Sequence, residues 1–300
     1  MSQPAMLTAY ASLVKFSHTI FALPFALLAA FLAGASRQPD FARTGRFWGE
    51  LALVLLCMVA ARSAAMAFNR IADVRIDAGN PRTAGRPLQR GQLNLRQAWT
   101  FFSVCAAVFV GACGAFWLLW GNYWPIALAV PVLGWLCLYS LTKRFTSLCH
   151  LALGVALALS PMSAWLAIWP ASFGPAALAL AAAVVCWVAG FDILYSLQDL
   201  PYDLAQGLRS IPVAVGPANA IWISRSLHVT AISALAAVWM LCGRLGWLYL
   251  AGAGVSAAVL LVEQLLVSPR DLSRINAAFF LCNGAVSLLL GAAGIADVFV

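Results

Sequence analysis

Ten acidic residues are spread over 300 positions, and half of them fall in two short segments with the same internal spacing. The first runs Asn69-Arg70-Ile71-Ala72-Asp73-Val74-Arg75-Ile76-Asp77, and the second runs from Asp192 through Tyr195 and Asp199 to Asp203. Each closes on two aspartates four positions apart, where a long apolar stretch gives out. Residues four apart on a helix differ by about 40° in direction, so Asn69, Asp73 and Asp77 form a slowly drifting stripe. Asp192, Tyr195 and Asp199 share a face in the same way. Two helix ends presenting carboxylates make an oxygen-rich but incomplete cage. Mg2+ prefers a few carboxylates completed by water and phosphate oxygens over an all-protein shell. The expected chemistry is therefore capture of a divalent metal together with a diphosphate. The plainer alternative is that Asp73 and Asp77 solvate a loop and pair with its arginines.

Basic residues stand where an anionic substrate needs them. The turn-rich stretch Asn80-Pro81-Arg82-Thr83-Ala84-Gly85-Arg86-Pro87 can bring Arg82 and Arg86 back toward the first acids. Lys143 and Arg144 follow Tyr139-Ser140 at the end of another apolar stretch. Ordinary charge bias explains the side on which these four lie, but not their grouping beside the acids. Arg62 lies inside an apolar stretch, two turns before Asn69, where a charge is costly and usually faces a water-filled cavity. It is expected to hold a substrate carboxylate or phosphate, with snorkelling as the alternative. Glu263 has no clustered partner and receives no role. Eight cysteines and three histidines are scattered without a C-x-x-C, so neither type is expected to carry the function.

These side chains need a scaffold, and composition specifies it. Hydrophobic residues make up 63% of the chain and charged residues 9%, with a mean hydropathy of +0.90. So few charges cannot clothe a water-soluble domain of this length. The expectation is an all-α, polytopic membrane helical bundle, one domain over residues 1–300. About nine spans of roughly 20 residues can be read: near 16–35, 48–68, 97–119, 123–141, 148–168, 175–196, 218–242, 246–267 and 275–298. The first apolar run is too long for a signal-peptide core and is read as a true span. Most of the 12 Trp and 17 Phe are expected to face lipid or pack, and any that line a cavity could stabilise a carbocation.

The net charge of +8 reads as membrane topology rather than nucleic-acid binding. One side of such a bundle holds 13 basic residues, among them Lys15 and Arg270, and the other holds 4, with Arg62 inside a span. The positive-inside rule then puts the N-terminus in the cytoplasm. Both acidic segments follow even-numbered spans, so both are expected on the cytoplasmic side.

Together these residues resemble the UbiA superfamily of intramembrane aromatic prenyltransferases. Asn69, Arg70, Asp73 and Asp77 match its N-[DR]-x-x-D-x-x-x-D motif, and Asp192, Tyr195, Asp199 and Asp203 match its other aspartate-rich motif. Thr83-Ala84-Gly85-Arg86-Pro87 and Tyr139 to Arg144 match further family segments, so the likeness covers essentially the whole chain. It implies nine transmembrane helices around a central cavity, Mg2+ dependence, a polyprenyl diphosphate donor and an aromatic acid acceptor. It makes Asn69, Asp73, Asp77, Asp199 and Asp203 metal-site residues, and Asp73 and Asp199 catalytic with Asp192. Lys143, Arg82 and Arg144 become diphosphate contacts, while Asp192, Tyr195 and Arg62 fall toward the acceptor.

Pro201, between Asp199 and Asp203, removes a backbone donor, so the helix is expected to end near Asp199 and leave Asp203 on a turn. The overall pattern is similar to 4-hydroxybenzoate polyprenyltransferases of ubiquinone synthesis. Gly190 to Asp199 and Gly207 to Pro212 also resemble a menaquinone-pathway subgroup acting on a dihydroxynaphthoate. A cation-coupled transporter is the alternative class, but its sites usually lie near the bilayer midplane on broken helices. A CDP-alcohol phosphotransferase would carry one contiguous acidic motif rather than two separated ones.

Overall fold

The computed structural model describes residues 3–14, 19–269 and 271–300. Lys15 and Arg270, counted on the basic side, and His18, one of the three dispersed histidines, lie outside the described residues. In chain order the helices are α1 (Gln3–Val14), α2 (Thr19–Arg37), α3 (Gly45–Ala72), α4 (Val74–Gly79), α5 (Leu95–Trp120), α6 (Trp124–Thr142) and α7 (Cys149–Ile168). They continue as α8 (Pro175–Ser196), α9 (Leu200–Ala205), α10 (Ile211–Cys242), α11 (Trp247–Leu266), α12 (Ile275–Ala277) and α13 (Asn283–Asp297). A π-helical turn, Ala278–Cys282, joins the last two.

Among the described residues eight helical stretches are long and apolar enough to cross a membrane, and Phe21–Arg37 is a shorter apolar helix over the expected first span. The expectation of an all-α bundle with about nine spans therefore stands. Large apolar side chains remain on the outside, Leu118 at 82% and Met240 and Leu265 at 74% exposure. Such a surface is stable against hydrocarbon and not against water.

Local chemistry explains where helices begin. Asn94 and Gln97 form a reciprocal capping box at the start of α5, with bonds of 2.8 and 2.9 Å. α10 starts at Ile211, seven residues before the expected span, because Ser210 caps it through Val213 N and Pro212 occupies its first turn.

The chain divides into two units. The first comprises Met1–Thr19 and Glu50–Leu141. Its core joins α3, α5 and α6 through Ala60, Ala61, Phe109, Cys113 and Ala129, and a second cluster sets Leu13 of α1 against Ala67 and Leu93. The second unit comprises Ile20–Gly49 and Thr142–Val300. There α7 lies so close to α8 that a Cβ on Gly154 would collide with the Val185 carbonyl. Likewise a Cβ on Gly190 of α8 would strike the His228 ring of α10. Small residues let membrane helices approach this closely and gain packing contacts that lipid cannot replace.

Candidate active site

The first acidic segment belongs to the first unit. α3 ends at Ala72, and Asp73 occupies the position before α4 without a side-chain capping bond. The i−4 ladder runs on through the junction, with Asp73 N donating to Asn69 O at 3.0 Å and Asp77 N to Asp73 O at 2.7 Å. The expected stripe is therefore kept across a break in the helix. Asn69 Nδ2 donates to Asp73 Oδ2 at 3.1 Å, and the buried Arg70 donates to Asn69 Oδ1 at 3.0 Å.

The following loop folds back onto the segment. Thr83 Oγ1 donates to Asp77 O at 2.9 Å, and Arg82 N donates to Asn80 Oδ1 at 2.9 Å. Arg86 closes this turn by a salt bridge to the buried Asp77 carboxylate. Arg82, on the same loop, is exposed. Arg62 is half-buried in α3, and Tyr139 of α6 lies within electrostatic reach of Arg62, Arg70 and Asp73. In the sequence Tyr139 stands out only as the first residue of the Tyr139 to Arg144 segment.

The second segment belongs to the second unit. α8 ends at Ser196, one 3-10 turn covers Leu197–Asp199, and α9 restarts at Leu200. The expectation of a turn at Asp203 is thus corrected. Pro201 sits in the first turn of α9, where its missing N–H has no partner to lose, so the proline starts a helix and Asp203 is helical. Asp199 and Asp203 are both buried. Lys143 Nζ lies 2.8 Å from Asp203 Oδ2. The backbone fixes this pairing: Arg209 N donates to Lys143 O at 2.8 Å, and Leu208 N donates to Asp203 O at 2.9 Å. Arg144, the next residue, is exposed.

Higher on α8, Asp192 Oδ2 lies 2.7 Å from His150 Nδ1 of α7. Tyr195, one turn further along, packs against Phe279 with ring centroids 4.1 Å apart and the planes tilted. In the sequence His150 is one of three dispersed histidines with no expected role. Its only signal was a place seven residues after Lys143, and the pairing with Asp192 joins positions 42 apart.

Among the described residues no three His, Cys, Asp or Glu side chains gather closely enough to hold a metal ion by themselves. The donors of both segments are nonetheless oxygen atoms, the set a hard cation takes. An incomplete protein shell also suits Mg2+, which keeps water and phosphate ligands. Asp77 of the first segment is paired with Arg86 and Asp203 of the second with Lys143, so positive charge is built in beside the acids.

Fold and site define an all-helical, multi-span membrane protein with paired acidic and basic groups at helix ends. The UbiA prenyltransferase family model matches residues 22–284. The chain belongs to that family. It is 31% identical over 256 residues to 4-hydroxybenzoate octaprenyltransferase of Methylococcus capsulatus, covering 85% of this chain and 82% of that one. It is also 31% identical over 229 residues to mitochondrial 4-hydroxybenzoate polyprenyltransferase of Aedes aegypti, 76% of this chain, and spans half of that longer protein. A UbiA homologue from Aeropyrum pernix K1 in its apo form superposes with a TM-score of 0.80 at 32% identity, over 93% of this chain and 98% of that one. A UbiA homologue from Archaeoglobus fulgidus bound to DMAPP and Mg2+ shares the fold at TM-score 0.67 and 20% identity, over 96% and 98%.

Proposed function

We propose that this chain transfers a polyprenyl group from a polyprenyl diphosphate to the ring of a hydroxylated aromatic acid, with 4-hydroxybenzoate as acceptor, in quinone biosynthesis. The observation that carries the reading is family membership over residues 22–284 together with two acidic motifs, each ending on an aspartate paired to a basic side chain. Relatives named for 4-hydroxybenzoate support the acceptor, and the metal and diphosphate held by the Archaeoglobus fulgidus homologue support the donor.

In this reading Asn69, Asp73, Asp77, Asp199 and Asp203 would hold Mg2+, which when bound would neutralise charge on the diphosphate leaving group. Arg82, Lys143 and Arg144 bind the diphosphate oxygens. The allylic C–O bond breaks with its electron pair leaving on the diphosphate. The ring carbon ortho to the hydroxyl then bonds to the allylic carbon, and the ring proton passes to the departing diphosphate. Arg62 pairs with the acceptor carboxylate, while Asp192 and Tyr195 hold its hydroxylated ring. Exclusion of water matters because an allylic cation would otherwise be hydrolysed. The enzyme is placed in the bacterial cytoplasmic membrane with its N-terminus and active site toward the cytoplasm, as the basic residues suggest.

A dihydroxynaphthoate acceptor is the second reading, favoured by the stretch from Gly190 to Asp199 and by Gly207 to Pro212. Offering 4-hydroxybenzoate and dihydroxynaphthoates together, with mass spectrometry of the products, decides between them. A prenylated 4-hydroxybenzoate as the main product supports the first reading, and a prenylated naphthoate replaces it by the second.

A further inference from the structure

We propose that His150 is a positioning residue for Asp192, fixing which carboxylate oxygen is offered to the hydroxyl of the aromatic acceptor. The inference rests on the acceptor role given to Asp192 above.

His150 is 2% exposed and is held from three elements. It sits at the second position of α7, its Nδ1 lies 2.7 Å from Asp192 Oδ2 on α8, and its Nε2 faces the Ile211 backbone N–H at the start of α10, at 3.4 Å. A backbone N–H can only donate, so Nε2 is the accepting side of the ring. The Nδ1–H is then the donor to Asp192 Oδ2. Hydrogen bonding at one ring nitrogen settles the role of the other, and a buried ring has no freedom to rotate away.

The consequence falls on Asp192. Its side chain is a quarter exposed, one oxygen is bound by the imidazole, and the other, Oδ1, has no partner among the described residues. Asp77 and Asp203 differ, because each is paired to a long flexible cation. A carboxylate anchored through one oxygen by a rigid ring presents the second in a fixed direction, which is what a substrate O–H requires. On the same face of α8, Tyr195 packs against Phe279 with the ring planes tilted by 31°. An aromatic surface is thus set one helical turn from the anchored acid, and a hydroxylated ring suits that pair of features.

The substitutions His150→Asn, His150→Gln and His150→Ala separate positioning from packing. The Asn amide nitrogen falls near the place of Nδ1 and can still donate to Asp192, whereas the Gln amide reaches toward Nε2. Steady-state kinetics are read for acceptor and polyprenyl diphosphate separately, alongside thermal unfolding in detergent. Loss of an orienting hydrogen bond is expected to cut kcat/KM for the acceptor about 10- to 100-fold in His150→Ala and His150→Gln, with KM for the diphosphate within about twofold of wild type. His150→Asn is expected to recover most of that loss. Equal impairment of the Asn and Gln variants would mean that the ring only fills space. Unchanged acceptor kinetics in His150→Ala, or a matching rise in the diphosphate KM, overturns the inference as well. If His150→Ala does not fold, the Asn and Gln variants decide alone. A wild-type enzyme that prenylates no hydroxylated aromatic acid removes the parent reading and this inference together, whereas an active wild type with unaffected variants removes only the inference.

Discussion

Lys143 and Asp203 meet at 2.8 Å, the aspartate side chain 1% exposed and the lysine side chain 32% exposed. The asymmetry decides what each contributes. Lysine can turn to water if its partner is lost, whereas the aspartate has no route out. Lys143→Ala is therefore expected to destabilise more than Asp203→Asn. The cost should be about 1–3 kcal/mol, less than for a fully buried pair because the lysine is partly solvated. Thermal unfolding in detergent measures it, and an equal or larger loss in Asp203→Asn contradicts the burial argument.

Asp73→Ala and Asp199→Ala are each expected to lower kcat at least about 10²-fold, the scale on which removing one electrostatic contact to a transition state acts. Asp73 is half-exposed and bonded to Asn69, so its replacement should leave the unfolding temperature near that of wild type. Normal product formation in either variant would remove the metal assignment.

Arg86 and Arg82 share a loop but not a role. Arg86 neutralises the buried Asp77, so Arg86→Ala is expected to lower both stability and kcat. Arg82 is exposed, so Arg82→Ala should raise the KM for the diphosphate with the unfolding temperature nearly unchanged. The two are told apart by comparing melting curves with diphosphate titrations of the initial rate.

A polar network within the second unit gives a stability prediction away from the chemistry. Asn283 accepts from Trp187 Nε1 at 2.7 Å and donates to Glu263 Oε1 at 2.5 Å, all three groups buried. Asn283→Ala strands a donor and a carboxylate together in an apolar interior. The expected loss is about 1–3 kcal/mol, with turnover per folded molecule largely kept. A melting temperature equal to wild type would show that the network is energetically idle. The network also gives Glu263, which the sequence left without a partner, a structural one.

The scaffold was legible because hydrophobicity alone dictates it: apolar runs of sufficient length must be helical in lipid. The carboxylate stripe was legible for the same reason, since helical periodicity places Asn69 beside Asp73. The breaks at Asp73 and at Leu197–Asp199 were not, because they depend on local backbone choices that periodicity averages over. Pro201 carries two opposite meanings in the sequence. Its effect depends on whether it falls inside a helix or in a first turn, and only the 3-10 turn before it settles that. Arg86 rather than Arg82 reaches Asp77 because of how Thr83 and Asn80 fold the loop. His150 was invisible since nothing in spacing tells which turn of α7 faces which turn of α8.

The most direct measurement incubates the purified protein with an allylic polyprenyl diphosphate and 4-hydroxybenzoate, with Mg2+ or with EDTA, and weighs the products by mass spectrometry. The account predicts a ring-prenylated acid with Mg2+, its loss with EDTA, and its return when Mg2+ is restored. A product formed equally well in EDTA, or no alkylated aromatic acid under any metal condition, would contradict it.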